Sequence, residues 1–163
     1  MSTSRVCVAP FRERGNSPEP ERAAASESPA QLAGRLSLPL WSPETPTARP
    51  CDFLLFYDSG RLSLQQNDKD AAGPLCVDFE DATVAYRQRN ARQPEAILKA
   101  LGVRHGETVR IIDATAGWGL DAFVLASAGH SVDLFERSAI LHALLKDGLH
   151  RALASGDERV ASI

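Results

Sequence analysis

The sequence predicts an α/β fold organised on a parallel sheet, with a small α+β region ahead of it. Three observations carry this expectation. Two short apolar runs, "VRIID" and "SVDLFE", alternate with two stretches of helical periodicity, "LDAFVLASAG" and "SAILHALLKDGLHRALA". Gly117 and Gly119 separate the first run from the first helical stretch. Composition also shifts after residue 50, because eight of the ten prolines precede that point. Strand-helix-strand-helix order implies parallel strands joined by crossover helices.

In chain order, "RVCVAP" reads as a short strand. "ERAAASESPAQLAGRLSLPL" has helix-forming Ala, Glu, Gln and Leu, with Pro29 as an interruption. Residues 1–50 are therefore expected to be Pro-rich and irregular. Next, "DFLLFY" and "RLSLQQ" flank Asp-Ser-Gly as the arms of a hairpin flank its turn. "PLCVDF" is a further strand candidate, and the polar "RQRNARQ" closes a hairpin-and-strand region spanning 51–92.

From residue 93 onward the α/β domain begins. Pro94 opens a helix over "PEAILKAL", Gly102 ends it, and Ile97, Leu98 and Leu101 form its buried face. "ETVRIIDATAG" is a strand entering a glycine turn, and Gly129 ends the helix that follows. After the second strand, Ile140, Leu141, Leu144, Leu145, Leu149 and Leu153 recur at helical spacing.

At 163 residues with 44% hydrophobic content, the chain can bury one core with a small appendage. A net charge of −3 gives no global attraction for nucleic acid, so such binding needs a local patch. Cys7, Cys51 and Cys76 are odd in number, far apart and lack a C-x-x-C pair. That pattern argues against a disulfide framework and a zinc site and predicts reduced thiols in the cytoplasm. No window approaches the ~18 apolar residues of a membrane span, and no apolar stretch follows Arg5 as in an export signal. Neither a membrane nor a metal is expected as a partner.

In an open parallel sheet the ligand lies beyond the carboxyl ends of the strands, where glycines let backbone approach it. Gly117, Gly119 and Ala122 satisfy G-x-G-x-x-G/A, and Glu136 follows at the distance of a ribose-binding acid. Two ligand classes fit this pattern, and Asp113 separates them. A carboxylate at the end of the first strand would repel the pyrophosphate of a dinucleotide but suits a cation. S-adenosylmethionine carries an ammonium group at one end and a ribose diol farther along, matching Asp113 and Glu136 in turn. A nicotinamide cofactor, and with it an NAD-binding oxidoreductase domain, is the alternative.

"VDF" at 77–79, "AYRQR" at 85–89, "EAILKALG", "DATAGWGLDAFVLASAG" and "ERSAILHALLKDGLHRA" together resemble the RsmJ-type 16S ribosomal RNA guanine-N2 methyltransferases. The resemblance spans about residues 77–154. It implies a class I S-adenosylmethionine-dependent methyltransferase (Rossmann-like) fold, here truncated, whose first part is residues 93–163. It also implies methylation of a guanine exocyclic amine in small-subunit ribosomal RNA. Cofactor contacts then fall on Asp113, Thr115, Gly117, Gly119, Leu120, Asp121, Glu136 and Arg137. The family's Gly-Leu-Gly-Arg-Asp stands here as "GWGLD", and its glycine-rich basic loop as "RNARQP". Its Asp-Pro-Met-Phe-Pro segment, which would engage the target amine, has no counterpart before Ile163. The expectation is an N-terminal portion with no catalytic residue of its own, inactive by itself or a cofactor-binding remnant.

Plainer roles stand beside these. Asp113 and the glycines alone would make a tight turn with a capping acid. Asp121 places negative charge in a helix's first turn, which stabilises it without any ligand. Glu136 could be a plain strand-end charge and Arg137 a solvated one. Trp118 either packs on an adenine or covers the turn. Arg87, Arg89 and Arg92, with Tyr86 adjacent, suit phosphate contacts to RNA, or form a solvated basic loop. His142 and His150 lie on the polar side of the last helix without metal-pair spacing, and His105 and His130 read as loop residues.

Overall fold

The computed structural model describes residues 5–10, 27–41, 51–79 and 92–156, with the backbone alone described at 92–95. The chain divides into two compact units, Met1–Cys76 and Val77–Ile163.

The first unit is a three-stranded sheet carrying one helix. Strand β1 (Val6–Val8) pairs in parallel with β2 (Phe53–Asp58), which pairs antiparallel with β3 (Arg61–Gln66). Asp58 faces Arg61 across a two-residue turn in which Ser59 and Gly60 both have positive φ, 52° and 78°. Such a turn matches the right-handed twist of its strands. Helix α1 (Pro29–Leu36) shows why Pro29 does not interrupt a helix but opens one: it occupies the first turn, where its missing N–H has no bond to lose. Ser28 caps it, its Oγ accepting from the Gln31 N–H while the Gln31 side chain accepts from the Ser28 N–H. Cys7, Val8, Leu32, Leu55 and Leu62 form the core.

Cys7 and Cys51 are joined by a disulfide, which corrects the expectation of three reduced thiols; Cys76 is free. Parallel pairing of β1 with β2 places Cys7 next to the chain entering β2, a proximity that 44 residues of sequence separation conceal. The expected strand "PLCVDF" is also corrected. Leu75 forms a single bridge to Leu64, each N–H donating to the other residue's C=O at 2.9 Å, and the ladder goes no further among the described residues; Gly73 and Pro74, which precede it, are residue types that strands disfavour.

In the second unit, which begins at Val77, helix α2 (Arg92–Ala100) is closed by Gly102 at φ 74°. Leu101 lies past the helix end and is exposed, so it does not share the buried face expected of it. Strand β4 (Arg110–Asp113) pairs in parallel with β5 (Ser131–Leu134), and helix α3 (Leu120–Ser127) is the crossover between them. Five consecutive residues of α3, 122–126, are buried. A helix that is apolar all round belongs in an interior. Helix α4 (Ala139–Ala154) is capped by Ser138 Oγ, which accepts from the Leu141 N–H, and buries Ala143, Leu144, Leu145, Gly148 and Ala152. Leu153, expected on its apolar face, is exposed.

Among the described residues β4 has one neighbouring strand, β5. Ile112 and Phe135 are exposed, and Arg110 pairs with Asp133 at 2.6 Å. No described helix is long and apolar enough to cross a membrane.

Candidate functional site

Where β4 ends, its chain is held by hydrogen bonds that continue the sheet beyond the strands. The Phe135 N–H donates to Asp113 O at 2.8 Å and the Ala116 N–H donates to Phe135 O at 3.0 Å. Between them, Asp113 turns its side chain back so that Oδ1 accepts from the Thr115 N–H at 3.0 Å. This is the local carboxylate-to-backbone bond that lets Asp leave an extended strand for a turn.

The two glycines do different work. Gly119 N–H donates to Ala116 O at 2.7 Å to close the turn, and Gly119 O accepts from the Phe123 N–H to start α3. Gly117 and Gly119 both lie in the left-handed region, at φ 52° and 70°. A Cβ on Gly117 would meet nothing closer than Thr115 O at 3.8 Å. On Gly119 it would stand 2.6 Å from Leu145 Cδ1 and 3.4 Å from Phe79 Cζ, so packing as well as conformation demands glycine.

Glu136 secures the turn from the other strand. One carboxylate oxygen accepts from the Gly117 N–H at 2.9 Å, the other from the Ser138 N–H at 2.7 Å. The bond from Ser138, then that from Gly117, holds the Glu136 carboxyl below the usual glutamate range, with Arg137 adding a smaller contribution of the same sign. Glu136 is therefore an anion bridging the glycine turn and the start of α4.

Asp113, Thr115, Ala116, Trp118, Leu120 and Asp121 line an open cleft of about 270 Å³ above this turn. Four of the residues expected at a cofactor site, Asp113, Thr115, Leu120 and Asp121, meet on its wall. Gly117, Gly119 and Glu136 form the frame behind it. Arg137 is exposed beside Glu136. Arg87 and Arg89 lie outside the described residues, and Arg92 begins α2 with its side chain outside them as well. His142, His150 and His105 are exposed; His130 is a loop residue but buried, its Nδ1 accepting from the Val109 N–H. No cluster among the described residues could hold a metal.

Chemically, the wall offers two carboxylates, no cationic side chain, one indole ring and the leucine side chain. It suits a ligand carrying positive charge on an apolar frame, and the residues present fit S-adenosylmethionine with its ammonium and sulfonium groups. Sequence reading missed the residues that support the turn from beneath, Phe79 and Leu145. Phe79 stacks on Phe123 with ring centroids 4.9 Å apart. Gly119 was the available signal, since a glycine at a helix start often marks close approach by a neighbour.

Comparisons with known proteins agree with this geometry. A family model described as "Putative SAM-dependent methyltransferase" matches residues 41–162. The ribosomal RNA small subunit methyltransferase J of Alkalilimnicola ehrlichii is 40% identical over 153 residues, covering 92% of this chain and 55% of that protein. The protein of the same name from Pseudomonas syringae pv. syringae is 44% identical over 138 residues, covering 84% of this chain and 48% of that protein. The chain thus spans about half the length of the curated relatives it matches. The crystal structure of a SAM-dependent methyltransferase from Neisseria gonorrhoeae superposes with a TM-score of 0.62 at 26% identity, covering 96% of this chain and 56% of that one. The fold is thus a Rossmann-like methyltransferase fold in its N-terminal portion, as the strand order and glycine turn imply. With its glycine turn, its acidic cleft and a family match over most of its length, the chain belongs to the SAM-dependent methyltransferase family.

Proposed function

We propose that this chain binds S-adenosylmethionine in the cleft above Gly117 and Gly119 and serves methylation of a guanine exocyclic amine in small-subunit ribosomal RNA, in the cytoplasm. The observation that carries the cofactor reading is the cleft wall itself, with Asp113 and Asp121 on it and no side-chain cation. The RNA substrate follows from the relatives' names, and the guanine amine from the resemblance carried by the 77–154 motifs.

Bound there, S-adenosylmethionine supplies a methyl group on a positively charged sulfur. In this reading Asp113 and Asp121 hold the positive charge of the cofactor. Thr115 and Leu120 fit its body. Glu136 fixes the turn, and each of its oxygens keeps an acceptor direction for a ribose hydroxyl. Arg137 lies beside it. Arg87, Arg89 and Arg92 are assigned to RNA phosphates, which position a nucleic acid without reading its sequence.

Calorimetry with S-adenosylhomocysteine and with NAD tests the cofactor. Affinity for the adenosyl compound is expected; affinity for NAD alone would assign the cleft to a dinucleotide instead. We also propose that the 163-residue chain holds cofactor without methylating RNA unaided, because in-line positioning of an amine can account for roughly 7 to 11 kcal/mol of a barrier. In this reading both cleft-lining carboxylates, Asp113 and Asp121, are engaged by the positive charge of the cofactor, which leaves no other carboxylate on the wall to hold that amine. Label transfer from S-adenosylmethionine to small ribosomal subunits by the chain alone would refute this.

A further inference from the structure

Three residues at the start of the second unit, 77–79, are clamped to α4 and α3 at each end. Val77 lies against Gly148 so closely that a Cβ there would be 2.6 Å from Val77 Cγ1 and 2.9 Å from Val77 O. Arg151, one turn on, donates Nη2–H to Val77 O and Nε–H to Asp147 Oδ2 at 2.9 Å. Two residues later Phe79 is buried between Phe123 and the glycine turn, its Cζ 3.4 Å from where a Gly119 Cβ would be.

We infer that residues 77–79 are a strap that sets the height and tilt of the glycine turn, with Phe79 and Arg151 as positioning residues for the cofactor cleft. The inference rests on the cofactor reading proposed above and deepens it. Gly119 has no side chain, so it cannot anchor itself. Its backbone bonds to Ala116 and Phe123 close the turn locally, and the side chains that occupy the space where its Cβ would stand are Phe79 from the strap and Leu145 from α4. Trp118 and Leu120 flank it directly in sequence and Asp121 follows, and these are three of the six cleft-lining residues. A shift of the turn therefore shifts half the cleft wall together. Arg151 acts at one remove: its bond to Val77 O fixes the start of the strap, and the buried Phe79 transmits that register to the turn. Gly148 is required for the same reason, because any side chain there would lift Val77 off the helix.

Trp118 reports on the turn without any ligand. In a Trp41→Phe background, its emission is the protein's tryptophan signal. Phe79→Ala is expected to red-shift that emission, increase acrylamide quenching, and lower S-adenosylhomocysteine affinity between about tenfold and a hundredfold, the scale of an ångström-level misplacement. Phe79→Leu, which refills most of the space, is expected to restore both, and Arg151→Met to move both in the same direction by less. Leu144→Ala, which truncates a fully buried side chain of α4, serves as the control for general destabilisation, with all variants compared at a temperature where circular dichroism shows them folded. Parent-like emission and affinity in Phe79→Ala would overturn the strap, as would equal changes in Leu144→Ala. Absence of S-adenosylhomocysteine binding by the parent would instead overturn the cofactor reading, and the emission series would still decide the strap.

Discussion

Two of the turns that place residues at positive φ differ in their surroundings. In the hairpin of the first unit, Ser59 and Gly60 turn in open space; a Cβ on Gly60 would meet nothing within 4 Å. In the second unit, Gly117 and Gly119 turn beneath a cleft, and Gly119 is pressed by Leu145 and Phe79. The hairpin turn is a local solution, set by two strands and a two-residue connection. The cleft turn is a tertiary one, held by a carboxylate 19 residues ahead and by a phenylalanine ring and a leucine side chain from two other segments. A turn held from several sides is pre-organised, which is what a binding site needs.

Substitution should expose the difference. Gly119→Ala meets both the left-handed backbone and the Leu145 methyl, and is expected to destabilise the second unit by about 3 to 4 kcal/mol. Chemical denaturation measures this, and Leu145→Ala in the same chain should recover the packing part of the loss. Second in size, Glu136→Ala should release Gly117 from its anchor and weaken S-adenosylhomocysteine binding roughly tenfold to a hundredfold in calorimetry. Unchanged affinity in a folded Glu136→Ala protein would remove Glu136 from the site. Gly60→Ala should cost only about 1 kcal/mol, since conformation is its whole penalty. A loss as large as that of Gly119→Ala would erase the contrast between the turns.

The smallest effect is one of pH. The Glu136 carboxyl is held low by N–H donors that favour its ionised form. Its contribution to the folded turn is therefore complete above the ordinary glutamate value of 4.5 and declines as pH falls through its lower folded value. Trp118 emission in the Trp41→Phe background should hold constant from neutral pH to about 5 and change only below that. In Glu136→Gln that low-pH step should vanish, and its persistence would assign the transition to another group.

Much of the second unit was legible in the sequence, because its elements are defined by short-range pattern. Arg110–Asp113 and Ser131–Leu134 are apolar runs, and Leu120–Ser127 lies between glycines that start and stop it. Asp113, Thr115, Leu120 and Asp121 are close in sequence, so their meeting in one cleft needed only the turn. What escaped depends on a local cap, on where a helix ends, and on distant partners. Pro29 looked like a break until Ser28 and Gln31 were seen to cap the helix around it. Leu101 kept its helical spacing but fell beyond the last turn. The bond from Gly117 to Glu136 and the pressure of Phe79 on Gly119 are contacts across 19 and 40 residues, which no periodicity encodes.

The short strand Val6–Val8 has a consequence for how the first unit comes together. The Phe53–Gln66 hairpin closes over two residues and can form within microseconds, whereas Val6 must find Phe53 across a long intervening stretch. The bridge from Cys7 to Cys51, separated by 44 residues, removes that search once formed, and restricting an unfolded chain over such a loop is worth about 4 kcal/mol in the chain-entropy account. Under reducing conditions the first strand is thus the last to dock and the first to leave. Faster hydrogen exchange at the Val8 and Ala9 amides after thiol reduction, with the hairpin amides still protected, is the kinetic trace it should leave.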